Sequence, residues 1–193
     1  MPTPPSEAVA VLAFWFDAHR DAWFVPDPAF DLAIRVRFAD TVRSAAQGEL
    51  LHWTDTPQGW LALLVVLDQF PRNLYRHDAR AWAQDLHAQR LVLWGIEQGF
   101  DRQLTPIQRV FAYMPLEHAE DITLQQRCVS LFETLCQNLP VGQRGPYAGY
   151  LDYARRHAAV ITRFGRFPHR NARLGRTNTP EEQAYLAIPG AGF

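Results

Sequence analysis

Apolar residues recur along most of this chain at intervals of three and four, and no stretch alternates as a half-buried strand would. Trp82, Leu86, Leu93 and Ile96 follow helical spacing, as do Cys128, Phe132, Leu135 and Leu139. The pattern is punctuated by start signals of one kind. Asp27-Pro28, Thr56-Pro57, Thr105-Pro106 and Thr179-Pro180 each set a capping side chain before a proline whose fixed φ suits a first helical turn. Thr179 with Glu182 forms a capping box, and Asp78 and Asp121 are candidate caps for two more helices. Gly48, Gly99 and Gly165 stand just past three helix ends. Together these signals predict helices over 7–18, 28–46, 57–70, 78–98, 106–114, 121–139, 146–164 and 180–187. The class is all-α, with one domain over 1–193. Helix 57–70 is apolar nearly all round from Trp60 to Leu67, so it is expected at the centre with the others around it.

Composition narrows the chemistry. The 193 residues carry 19 cationic side chains, every one an arginine. With no lysine there is no phosphate-loop ATPase motif, no Schiff base on a lysine amine and no pyridoxal phosphate held as an internal aldimine. Serine occurs only at Ser6, Ser44 and Ser130, with no nucleophile-elbow glycines about them. Cys128 and Cys136 lie about 12 Å apart along one predicted helix, too far for a disulfide, and read as reduced core residues. The longest apolar run, Trp60–Leu67, is far short of a membrane span, and the N-terminus lacks a signal-peptide pattern, so a cytoplasmic protein away from membranes is expected.

Charge is unevenly divided. Residues 1–143 hold 11 arginines against 17 acids, net −6, whereas residues 144–193 hold 8 against 3, net +5. The irregular segment 165–178 concentrates Arg166, His169, Arg170, Asn171, Arg173 and Arg176. Guanidinium groups suit bidentate recognition of carboxylate or phosphate, although an acidic body docking a basic C-terminal third accounts for the same asymmetry.

Three polar clusters could carry chemistry. In Asp68-Gln69-Phe70-Pro71-Arg72-Asn73, Pro71 is expected to end the buried helix, and Asp68 there needs a cation such as Arg72; Arg72 and Asn73 could instead face a cavity. Around Glu117, His118, Glu120 and Asp121, a carboxylate beside an imidazole supplies the groups for proton transfer near neutral pH, while the spacing fits neither HExxH nor a di-iron bundle. On helix 146–164, Tyr150, Tyr153, Ala154, His157, Ile161 and Phe164 share one face, which turns His157 inward.

The strings LDQFPRNLYR (67–76), FAYMPLEHAED (111–121) and HAAVITRFGRFPHRNARLGRTNTPEEQAYL (157–186) resemble the hallmark blocks of the bacterial family known as domain of unknown function 924, in matching order over nearly the whole chain. The resemblance implies a tetratricopeptide-like α–α superhelix, which periodicity alone does not show. It carries over Asp68, Arg72 and Asn73, then Glu117, His118 and Glu120, then His157, Arg163, Arg166, His169, Arg170 and Asn171, as one diagnostic set that could converge on a pocket. Ala119 departs from the serine usual in the family after the Glu-His pair, which removes any role for a hydroxyl there.

The reading that follows is a helical protein binding a small anionic metabolite, phosphate or carboxylate, through Asp68, Arg72, Asn73, Arg163, Arg166, Arg170 and Asn171. Glu117, His118, His157 and His169 are its candidate acid–base groups, with no covalent nucleophile, metal or cofactor. The alternative is a peptide- or protein-binding module with an Arg-lined groove. Nucleic acid is disfavoured by the acidic body. The same side chains could also serve only as a buried network that holds helices in register.

Overall fold

The computed structural model describes residues 2–192, and it is all-α, with no strand among them. The capping signals place their helices as expected. Asp27 accepts from Ala29 and Phe30 N–H at the start of α2 (Pro28–Ala46), Thr56 from Gly59 N–H at the start of α3 (Pro57–Leu64), and Asp121 from Leu124 N–H at the start of α7 (Ile122–Asn138). Thr179 and Glu182 close the predicted capping box of α9 (Pro180–Leu186). The remaining α-helices are α1 (Ser6–Leu12), α4 (Phe70–Leu74), α5 (Asp85–Glu97), α6 (Pro106–Glu117) and α8 (Arg144–Phe164). Wider π turns extend α1 over Ala13–Ala18 and join α3 to α4 over Val65–Gln69. With α3 and α4 counted as the one rod they form, the described residues make eight helices. No helix among them is long and apolar enough to cross a membrane.

Three boundaries differ from expectation, one of them that of α6, which is expected to stop at 114 and instead runs through Pro115 to Glu117. The rod beginning at Pro57 does not end at Pro71 but runs on to Leu74. Within the π turn the Phe70 N–H bonds to the Val65 carbonyl, five residues back, and this widening makes room for a ring that would otherwise crowd the carbonyl four residues before it. Asp68 therefore lies within the rod and not at its end. Predicted helix 78–98 is instead a 3₁₀ turn at Ala79–Trp82 followed by α5, so Asp78 does not open the long helix.

The chain forms two compact units, Met1–Arg76 with Arg80–Pro115, and His77–Ala79 with Leu116–Phe193. In the first unit, every residue from Gly59 to Pro71 is buried, as the all-round apolar pattern requires. Phe14, Trp15, Phe30, Phe38, Phe70 and Phe111 pack about the rod with ring centroids 5.1–6.3 Å apart. Trp60 donates its indole N–H to the Leu91 carbonyl at 2.7 Å and lies flush against Gly95, where an added Cβ would stand 2.2 Å from the ring. Gly95→Ala is therefore expected to cost about 1–3 kcal/mol through overpacking. A urea-unfolding midpoint unchanged from the parent would contradict that contact. In the second unit, α7 and α8 pack together, with Cys128, Phe132, Leu135, Ala154, Val160, Ile161 and Phe167 buried. Both cysteines are free thiols.

Candidate functional site

The second and third sequence clusters meet within the second unit. Glu117 is the last residue of α6, which passes through Pro115 before ending. The turn that follows is held by Gln125, fully buried on α7, whose amide donates to the carbonyls of Glu117 (2.6 Å) and Ala119 (2.8 Å). On α8, His157 points inward as its stripe predicts and is only 4% exposed. Its Nδ1 lies 2.9 Å from the Tyr153 carbonyl and 3.3 Å from Glu117 Oε1. A carbonyl can only accept, so the proton sits on Nδ1 and the lone pair on Nε2.

Gly165 adopts φ 69° and turns the chain back from α8. This brings Phe167, fully buried, to the centre of the cluster. The rings of His157 and His169 each lie 5.6 Å from the Phe167 ring, and His118 lies 6.3 Å from His157. The Arg170 guanidinium sits 4.5 Å from the Phe167 centroid and donates to the His118 carbonyl at 3.1 Å. Two imidazoles and one guanidinium thus gather about a single aromatic ring, with His118 and Glu117 each beside His157.

Glu120 fixes this arrangement from the side. It accepts from the Phe167 N–H at 2.8 Å and from both terminal nitrogens of Arg176 at 2.5 and 2.8 Å. Asn171, fully buried, donates to Asn178 at 2.7 Å, and its carbonyl takes the N–H groups of Leu174 and Arg176. Arg166 forms a fork with Glu182 at 2.6 and 2.8 Å and also donates to the Thr177 carbonyl; Arg163 pairs with Glu181 at 2.8 Å. Arg163 and Arg166 thereby anchor α9.

Burial sets the protonation of the cluster. It pushes His157 down to about 3, with His118, Arg170 and His169 acting in the same sense against the Tyr153 carbonyl. Burial and then Arg170 take His169 down to about 4. Both rings are neutral at pH 7. Burial alone would raise Glu120, but the Arg176 fork and the Phe167 N–H outweigh it and the carboxyl is lowered; Arg166 holds Glu182 down to about 2. A neutral imidazole with its Nδ1–H fixed can take a proton at Nε2, and the cationic Arg170 favours negative charge beside it.

The first cluster belongs to the first unit and bonds within it. Arg72 donates to the Asp68 carbonyl at 2.7 Å, lies 3.1 Å from Asp68 Oδ1, and meets both Asp85 oxygens at 3.0 and 3.1 Å. Asn73 donates to Asp31, which also receives a fork from Arg76. Asp31, Asp85 and Gln125 also form these clusters, and no local motif in the sequence marks any of the three.

The family model described as bacterial protein of unknown function (DUF924) matches residues 11–190. The solved structure of ATU0120 from Agrobacterium tumefaciens, a protein of unknown function, is 40% identical in sequence with a TM-score of 0.84, over 94% of this chain and 97% of that one. No curated protein matches the sequence.

Proposed function

The chain belongs to the bacterial family of unknown function DUF924, and from that premise we propose that its second unit binds a small anion carrying a carboxylate or phosphate, with the Glu117–His157 pair able to move a proton on the bound molecule. The observation that supports this reading most is the gathering of His157, His169 and Arg170 about Phe167, with His118 beside His157. Burial keeps both imidazoles neutral, at a cost to stability wherever the unfolded chain would protonate them, and such perturbed groups concentrate at functional sites. Arg170 is the anion-recognising cation of this reading, and His118 and His169, the partly exposed members, are the side of approach. Arg163 and Arg166 act as scaffold that anchors α9, and Arg72 and Asn73 as scaffold within the first unit. Asp68 belongs to the same scaffold and Asn171 braces the loop.

An anion beside the imidazoles favours their protonated form, so binding takes up a proton and tightens as the pH falls. Inorganic phosphate and succinate are expected to raise the melting temperature, by an amount equivalent to about 3 kcal/mol at a hundredfold excess over Kd, and more at pH 6 than at pH 8. Arg170→Gln should remove the shift, and His169→Gln should weaken its pH dependence. If neither anion moves the melting temperature at either pH, the anion-site reading is wrong.

A further inference from the structure

The segment that follows α9 lies against His169. Ala187–Gly192 leaves the helix and doubles back through two glycines of positive φ, Gly190 at 78° and Gly192 at 92°. A Cβ built on Gly192 would stand 3.2 Å from His169 Cβ, 3.5 Å from Cγ and 3.6 Å from Nδ1, so the backbone at 192 is in contact range of this side chain. Position 192 favours glycine for its positive φ, and a side chain there would also crowd the His169 Cβ. The ring is held between Phe167 on one side and this segment on another.

The segment and its anchor differ in how firmly they are held. α9 is fixed by the Arg166–Glu182 fork, the Arg163–Glu181 pair, its capping box and the packing of Tyr185 on Phe164 at 5.1 Å. Beyond it the chain has turn bonds from Ile188 to the Tyr185 carbonyl and from Ala191 to the Ile188 carbonyl, and a 3.3 Å bond from the Gly192 N–H to the Tyr185 hydroxyl. Ile188 is 55% exposed, so the segment buries little apolar surface of its own. Lifting it breaks few bonds, and the pivot lies at Ala187–Ile188, next to a helix that stays put.

We propose that residues 187–192 form a strap over His169 that opens to admit ligand and closes against the imidazole in its absence. The inference rests on the anion-site reading for its purpose, but the strap itself can be tested without any ligand.

Diethyl pyrocarbonate modifies neutral imidazoles in proportion to their access, and peptide mass spectrometry resolves the rate at each histidine. Gly192→Val puts a β-branched side chain at a positive φ and against the His169 Cβ, and should hold the strap open. Tyr185→Phe removes the acceptor for the Gly192 N–H without adding bulk. Both variants are expected to raise the rate at His169 about threefold or more while leaving buried His157 unchanged. With His169 and His157 rates equal to the parent in both variants, the strap is refuted; a rise at both histidines equally would also overturn it, because that reports general loosening. Adding inorganic phosphate distinguishes the two ideas. If His169 accelerates in the variants but phosphate protects it in neither parent nor variant, the strap stands and the anion reading fails.

Discussion

Stability is expected to fall steadily as the pH is lowered from about 6.5 to 4, before most carboxylates titrate. His157 and His169 are held neutral in the folded protein down to about 3 and about 4. Once unfolded, both take protons below about 6.5. Above that value neither state binds a proton and the rings contribute no pH dependence. Within the window the unfolded chain binds more protons, so each unit of acidification favours unfolding by about 1 kcal/mol per imidazole. A second phase follows from the carboxylates. Glu182 is held down to about 2 and Glu120 is lowered, so their stabilisation is fully present above the ordinary carboxylate range and is lost as the pH falls from there through their lowered values. Urea unfolding at a series of pH values reads both phases, and His157→Gln should flatten the first by about half. A stability that does not change between pH 7 and pH 5 would rule out buried neutral imidazoles.

The helices were largely legible in the sequence because capping is local. Asp27, Thr56, Asp121 and Thr179 each bond to an N–H within three residues, and those signals do not depend on the rest of the fold. Local rules fail where tertiary packing overrides them. Pro71 and Pro115 both lie inside helices, the first after a π turn and the second in the last turn of α6, where few residues remain to be disrupted. Trp82 fits a helical period yet belongs to a 3₁₀ turn, since a short run of apolar spacings cannot separate the two.

For the site, residue types were legible and partners were not. The sequence showed an excess of arginine but not its use. Arg76, Arg166 and Arg176 each form a fork with one carboxylate of the protein, Asp31, Glu182 and Glu120, at separations of 45, 16 and 56 residues. Lysine cannot reproduce that planar geometry, which gives the absence of lysine a structural meaning alongside its chemical one. Glu182 illustrates the limit. Its capping box was evident, yet the same carboxylate also receives Arg166, and nothing in the local sequence encodes that second role.

Arg72→Met is expected to cost about 3–5 kcal/mol, the range for removing one partner of a buried ion pair. Asp68 and Asp85 have side chains only 1% and 9% exposed, and one guanidinium serves both. Gln69 adds a donor to Asp68 at 2.6 Å but brings no charge. Removing the cation leaves two carboxylates sharing a poorly hydrated site, and desolvation then dominates over any attraction lost. Arg72→Lys keeps the charge but cannot span both acids and the Asp68 carbonyl, so its cost should fall between parent and Met. The triple change Arg72→Met, Asp68→Asn, Asp85→Asn should recover most of the loss, because the penalty comes from stranded charge and not from missing attraction. Urea unfolding decides the matter: if Arg72→Met costs less than about 1 kcal/mol, the value of an exposed pair, the cluster is not functioning as a buried one. Should Arg72→Lys keep the phosphate-induced rise in melting temperature while Arg170→Gln loses it, the two arginines separate into scaffold and site.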